Sequence, residues 1–546
     1  MKHSLAGLGI VLLAAGAAAQ SPRAKVDPRI ARGFEAIREG DLQGDLTFLA
    51  SDALQGRMSL QPGSEVAIEW IAGEFQKAGL TPAASDSYFQ PVPLVEYRPD
   101  LEAMRLTLTR GGQPQTFTYL KDFYGGFARE VTLCAPLVFA GYGITAPEFG
   151  YDDYANVDTG GKIVLVFDHE PQENDARSAF NGLGNTRYAN SRLKILNAQR
   201  HGALAVLVAP EPNRKHPSNI DRLKRIPGFA ERIRRFPSQA MADDEVRIPL
   251  LNLDDLTAQT LLATQPRSPS ELQSAVDASL KPASLTLPDT TVEMRIANAE
   301  TRRAASRNVI GILEGSDPGL KNETIVYGGH FDHDGVFAGK VFPGADDNGS
   351  GTVGVVALAH AFAANRERPR RTVLFAVFAA EERGLLGSYY YNLHPLRPLE
   401  TTRAVINFDM IGRNESPSAQ TEGLIEIAAD TSNELNLIGT INSPQYRAVT
   451  ERANQRVGLG LSYKWDDDAA LNIFQRSDQF PFALHDIPAV WWFTGFHPDY
   501  HQPSDTVEKI NFGKMTKIVR LAYLAGWAFA DEARSPQFLA NPRTRN

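Results

Sequence analysis

Five short stretches of the 546-residue sequence bring acids and histidines close enough to act together. They are Gly329-His330-Phe331-Asp332-His333, Gly344-Ala345-Asp346-Asp347-Asn348-Gly349-Ser350-Gly351, Ala379-Ala380-Glu381-Glu382-Arg383-Gly384, Asn407-Phe408-Asp409-Met410 and Phe496-His497-Pro498-Asp499-Tyr500-His501. In extended chain, residues two apart share a side. His330 can therefore face a metal while Asp332 orients its ring. The adjacent acids Asp346 and Asp347 repel unless a cation compensates them, as a carboxylate bridging two ions would. The glycines around them let backbone approach closely. Glu381 and Glu382 can diverge, one to a metal and one to an attacking water, which sets a general base beside a ligand. Asp409 is a terminal ligand candidate. His497 and His501 offer two imidazoles that residue type alone does not separate.

Each stretch has an ordinary reading on its own: a solvated turn, a helix N-cap or a surface glutamate pair. Together they point to mixed nitrogen and oxygen ligation, which suits zinc and also fits manganese or cobalt. Two ions about 3.5–4 Å apart that share a water form a two-metal hydrolase site, and so many acids suit two ions better than one. A phosphate loop is a poor fit, because no Gly-Lys-Ser/Thr follows the glycine-rich run. No Gly-x-Ser-x-Gly elbow is present either.

Strands must position these groups. Val309–Leu313 and Thr324–Gly328 read as strands and Val353–Ala363 as a helix. Thr372–Phe378, Ala404–Phe408 and Pro488–Phe493 are apolar without alternation, as strands buried on both faces are. Leu521–Glu532 reads as a closing apolar helix. The rhythm predicts an α/β fold with a mostly parallel central sheet, helices on both faces and active loops at the strands' carboxyl ends.

Upstream, Asp41–Leu49 and Glu65–Ala78 have helical spacing. From about Tyr97 the pattern turns to short strands: a hairpin around Gly111-Gly112, then Leu137–Ile144, Lys162–Phe167 and Ala203–Val208. Asn213–Ser238 is basic and proline-broken and reads as a surface excursion. A helix is expected at about Asp254–Ala263, and Ser268–Ser284 is weakly patterned.

Lys2, the apolar run Leu5–Ala15 and the small residues Ala17–Ala19 read as an export signal, cleaved after Ala19. The expectation is a periplasmic or extracellular protein without a stable membrane anchor. Cys134 is the single cysteine, so no disulfide can form within the chain, and its apolar strand predicts a buried structural thiol. The net charge of −8 argues against a nucleic-acid partner.

These residues resemble the M28 family of zinc peptidases, which includes bacterial aminopeptidases. The resemblance rests on the five stretches above, extended to Leu385-Leu386-Gly387-Ser388, Gly412 and Tyr500-His501-x-Pro503-x-Asp505. Leu54-x-Gly56-Arg57 is similar to the family's N-terminal entry. The family implies a zinc exopeptidase fold and two Zn2+ ions: His330 and Asp409 on one, Glu382 and His501 on the other. Asp346 is implied as the bridge, with a cis Asp346–Asp347 peptide, Glu381 as general base and Asp332 as the carboxylate behind His330. It also selects His501 over His497. Peptides are the implied substrates and an aminopeptidase the first reading. A carboxypeptidase or dipeptidase, a glutaminyl cyclase with one zinc, and a non-catalytic binding module are the alternatives.

Gly141-Tyr142-Gly143-Ile144, Tyr151-Asp152-Asp153-Tyr154, Gly161–Val166 and Ile248-Pro249-Leu250 resemble an inserted protease-associated domain, β-rich and α+β. The expected layout is a signal over 1–19, peptidase over 20–96, the insert over 97–290 and peptidase with the metal site over 291–546. Ser477-Asp478-Gln479-Phe480 resembles the family's substrate-side segment. Substrate-binding residues and oligomeric state are not legible.

Overall fold

The computed structural model describes residues 25–540 apart from 181, 183, 226–230, 232, 234, 235, 264, 265 and 469. The expected export signal lies outside the described residues. Among the described residues no helix is long and apolar enough to cross a membrane.

A ten-stranded mixed sheet runs in the order Ser238–Met241, Phe89–Pro99, Asn298–Leu313, Thr372–Phe378, Thr324–His330, Thr402–Phe408, Ala489–Phe493, Glu434–Ile438 and Gly460–Ser462, with Thr81–Pro82 pairing beside Asn298–Leu313. Its middle four strands are parallel to one another, and the flanks bring in antiparallel pairs. Tyr327 stands beside Phe375 on one side and Ile406 on the other. The unbroken apolarity of the middle strands has a direct cause. Ile325, Tyr327, Val373, Phe375 and Val377 pack into one core with Ile68 and Phe75 of helix Pro62–Lys77, Val355 of Gly351–Ala364 and Ile518 of Phe512–Asp531. Their neighbours Val326, Leu374, Ala376 and Phe378 pack on the opposite face with Tyr391 and Phe482.

The closing helix spans Phe512–Asp531 and starts earlier than its apolar run suggests, because Asn511 caps it by accepting from Lys514 N at 3.0 Å. Gly526 sits where this helix meets the sheet, and a Cβ there would lie 1.7 Å from Tyr327 Oη. That hydroxyl donates to Ala522 O at 2.8 Å. Gly526→Ala should therefore cost about 1–3 kcal/mol by overpacking.

A second, eight-stranded sheet uses residues 105–296, in the order Gln113–Phe117, Arg105–Arg110, Leu285–Ile296, Val131–Phe139, Ile163–Phe167, Ala205–Ala209, Leu250–Leu253 and Phe123–Gly126. It also has cores on both faces: Ile163, Leu165 and Phe167 in one, Val164 and Val166 in the other.

Three expectations change here. Cys134 is exposed, not buried, because it shares a face of Val131–Phe139 with exposed Thr132 and Pro136. Ser268–Ser284 contains a helix, Pro269–Ser279, opened by a capping box between Ser268 and Glu271. The basic stretch is partly built in: Asn219–Arg225 is helical, Ile220 is buried, and Arg222 Nη1 donates to Leu471 O at 2.9 Å.

Candidate metal centre

The carboxyl ends of the parallel strands place most of the site. His330 ends Thr324–His330 in register with Phe378, Glu381 and Glu382 follow Thr372–Phe378, and Asp409 follows Thr402–Phe408. Ala380, Leu385, Met410 and His501 all take left-handed backbone without being glycine. Such strain clusters where surrounding structure over-determines a site. At Gly344, φ is +53° and a Cβ would lie 2.1 Å from Asp347 O, so the turn into the acidic pair needs glycine.

Two groups of ligand-type atoms meet here. His330, Asp347 and Asp409 form one; His333, Asp347, Glu382 and His501 form the other. Asp347 belongs to both, and its two oxygens divide between them. Oδ1 lies 3.7 Å from His330 Nε2, and Oδ2 lies 3.3 Å from His501 Nε2. His330 Nε2 is 3.5 Å from Asp409 Oδ1 and 3.6 Å from Glu381 Oε2. His501 Nε2 is 3.4 Å from Glu382 Oε2, and His501 Nδ1 is held by Asp334 Oδ2 at 2.7 Å.

The expected bridge, Asp346, points elsewhere. Its Oδ1 accepts from Gly412 N at 2.6 Å and Ser350 Oγ at 3.0 Å, and its Oδ2 faces His497 at 3.3 Å. Its side chain is a brace between loops. The shift by one residue has a local cause: Asp505 Oδ2 accepts from both Asp346 N and Asp347 N, at 3.0 and 3.1 Å. That contact pins the two peptides and turns the successive carboxylates apart. The cis peptide is Asp347–Asn348, not Asp346–Asp347. His497 is buried against Asp346 and belongs to neither group.

Around these groups each contact fixes one orientation. Ser477 Oγ donates to Asp409 Oδ2 at 2.6 Å, which leaves Oδ1 for the His330 side. Asp332 holds the His330 ring through its backbone carbonyl, 3.1 Å from Nδ1, rather than through its carboxylate, which lies 3.8 Å away and accepts from Glu381 N at 3.0 Å. Buried Arg57 donates to Phe331 O at 2.8 Å, Pro343 O at 2.6 Å and Gly344 O at 2.9 Å, tying the first two loops to the N-terminal segment. His333, to which the sequence reading gave no role, sets Nδ1 2.6 Å from Glu382 Oε1. Its position directly after His330-x-Asp332 was the only available signal.

The residues fit a metal. A carbonyl can only accept, so His330 Nδ1 carries a ring hydrogen and Nε2 faces three carboxylates; burial opposes a charge on the ring, but Glu381, Asp409 and Asp332 outweigh it and push its pKa well above the usual value. Nε2 is buried and has no hydrogen-bond partner, and His333 Nε2 has none either. Buried acceptors packed this way need a cation among them. Burial pushes the Glu381 carboxyl well above its usual range; His330 opposes this, and Asp409, Asp478 and Glu382 add to it. Burial also pushes Glu382 up, but His501 and His333 outweigh it and hold that carboxyl at about 2. The site opens into a cleft of about 630 Å³ lined by Glu381, Glu382, Arg383, Arg476, Tyr500 and His501.

Residues 308–525, which carry all of these groups except Arg57, match the model of peptidase family M28. Over this segment the chain is similar to peptidase family M28. A leucine aminopeptidase 2 of Trichophyton rubrum is 31% identical over 260 residues, 43% of this chain and 47% of its own. That of Arthroderma otae is 29% identical over 275 residues, 46% of this chain and 50% of its own. The chain thus spans about half the length of these curated relatives. Among solved structures, the aminopeptidase from Aneurinibacillus sp. strain AM-1 aligns with 93% of this chain and 97% of its own, at 19% identity and a TM-score of 0.51. The two chains therefore share a fold over nearly their whole lengths.

Proposed function

We propose that the chain is a di-zinc aminopeptidase. The observation that carries this reading is the division of Asp347 between two ligand groups, His330 with Asp409 and Glu382 with His501. The named relatives, leucine aminopeptidases, supply the choice of peptide end. A glutaminyl cyclase with one zinc would leave the second group unused.

The chemistry that bound zinc supplies is Lewis acidity, which makes a water more acidic and a carbonyl more electrophilic. Glu381 takes the proton of the attacking water and passes it to the leaving nitrogen. Its buried position and Asp332, on its backbone N–H, hold it in place. Tyr500, whose hydroxyl burial keeps protonated, lines a small recess with Asp347, Glu381 and Asp409 and donates to the oxygen that gains charge. Ser477 and His333 orient Asp409 and Glu382.

On this reading the second sheet is a protease-associated-like unit beside the cleft, where Tyr124 of Phe123–Gly126 lines the wall. Residues 1–19 are the export signal; N-terminal sequencing of the exported protein should begin at Gln20, and an intact Met1 would reject it. The activity test uses zinc-loaded protein with leucine 4-nitroanilide, N-acetyl-leucine 4-nitroanilide and a peptide whose shortening is followed by mass spectrometry. The free amine should be cleaved, the acetylated one spared, and the peptide should shorten from its amino end. Shortening from the carboxyl end would replace the reading with a carboxypeptidase.

A further inference from the structure

A second group of imidazoles and carboxylates lies outside the M28 segment. His169 and Glu173 follow strand Ile163–Phe167, Glu211 follows Ala205–Ala209, and His216 lies in the loop beyond. The two strands are parallel neighbours, so their carboxyl ends open at one edge of the second sheet. Ligand-type atoms from all four residues lie within 4.8 Å of one another. His169, Glu173 and Glu211 are buried, and the His216 side chain is only 5% exposed.

Their hydrogen bonding does not close. His216 Nδ1 lies 3.0 Å from Pro217 O, which can only accept, so Nδ1 carries the ring hydrogen. A neutral ring then presents a bare Nε2 to Glu173 Oε2 at 3.0 Å, acceptor against acceptor. Glu211 Oε1 is buried with no hydrogen-bond partner, 3.6 Å from His169 Nδ1 and 4.0 Å from His216 Nε2. His169 Nδ1 also touches Glu173 Oε1. A cation at the centre would satisfy the unpartnered Glu211 oxygen and the His216 Nε2 together. A proton on His169 is the competitor: burial opposes it, while Glu211, Asp168 and Glu173 favour it and hold the pKa at about 9.

We propose that His169, Glu173, Glu211 and His216 bind a structural zinc ion, separate from the cleft. Two imidazoles and two carboxylates fill a tetrahedral shell and leave no open position, as in sites that hold structure rather than substrate. His169 binds through Nδ1; Asn472 Nδ2 lies 2.9 Å from its Nε2, and with zinc on Nδ1 this amide turns over so that its oxygen takes the Nε2 hydrogen. Asn472 belongs to a loop whose Gln475 and Arg476 line the cleft. Asn190 Nδ2 also donates to Gln475 Oε1, at 3.2 Å. The ion therefore fastens the second sheet to one wall of the M28 cleft.

Zinc content per chain, measured by elemental analysis on the full-length protein, tests this. Wild type should hold about three equivalents, two in the cleft and one here. Glu211→Gln and His216→Gln should each lower the count by about one and lower Tm, while hydrolysis of leucine 4-nitroanilide at saturating substrate stays within about threefold. Asp347→Asn should lose the cleft ions and keep about one, which separates this site from the cleft assignment. Wild-type protein with only two equivalents would overturn the proposal whether or not the variants fold. So would variants at residues 211 and 216 with undiminished zinc, or an Asp347→Asn protein with none.

Discussion

His330 in the M28 segment and His216 in the second sheet are held alike: a backbone carbonyl takes the Nδ1 hydrogen, and Nε2 turns toward carboxylate oxygens. Both groups sit at carboxyl ends of parallel strands, and both lean on a buried cation. Arg57 gathers three loop carbonyls at the first, while Lys194 donates to Tyr142 O at 2.5 Å and His169 O at 2.6 Å at the second. The surroundings differ. The first group opens into a cleft that is also lined by Glu381, which belongs to neither ligand group; the second group is buried. Strand-end geometry assembles ligands readily. An open position and an extra proton acceptor turn such an assembly toward catalysis.

The comparison breaks most visibly at its bridging acid. Asp347→Asn should abolish peptide hydrolysis and empty the cleft of metal, whereas Asp346→Asn should keep the metal and lose about 1–3 kcal/mol of stability. Equal metal loss in both, by elemental analysis, would return the bridge to Asp346. Next is the spare base: Glu381→Gln should lower kcat by about 10² to 10⁴ with metal retained, and a wild-type rate would remove it from the mechanism. The buried cations follow. Arg57→Met should cost about 3–5 kcal/mol in denaturant unfolding, because four buried carbonyls and nearby carboxylates lose their partner. Lys194→Met should cost less, with two carbonyls freed. The smallest effect is at Cys134: Cys134→Ser should shift stability by under about 0.5 kcal/mol, and the native thiol should react readily with a thiol reagent.

Much of the central sheet was legible because burial on both faces leaves unbroken apolar runs such as Thr372–Phe378 and Thr324–Gly328. The loops after them announced His330, Glu381, Glu382 and Asp409 as candidates. Residue type could not choose between Asp346 and Asp347, because that choice is made by Asp505, over 150 positions away, through two backbone hydrogen bonds. Apolarity without parity misplaces Cys134: Thr132 and Pro136 mark its face as exposed. Ser268-Pro269-Ser270-Glu271 carried a capping box that helical periodicity alone does not reveal. The His169 group left no such trace. Its members follow two different strands and a proline-broken loop, and only the fold brings them together.

We propose that one carboxylate, Asp347, serves two zinc ions. Anomalous diffraction at the zinc edge from crystals of the loaded protein tests it directly. Two peaks are expected in the cleft about 3.5–4 Å apart, one beside His330 and Asp409 and one beside Glu382 and His501, with Asp347 touching both. A single cleft peak, or a pair bridged by Asp346, would contradict it.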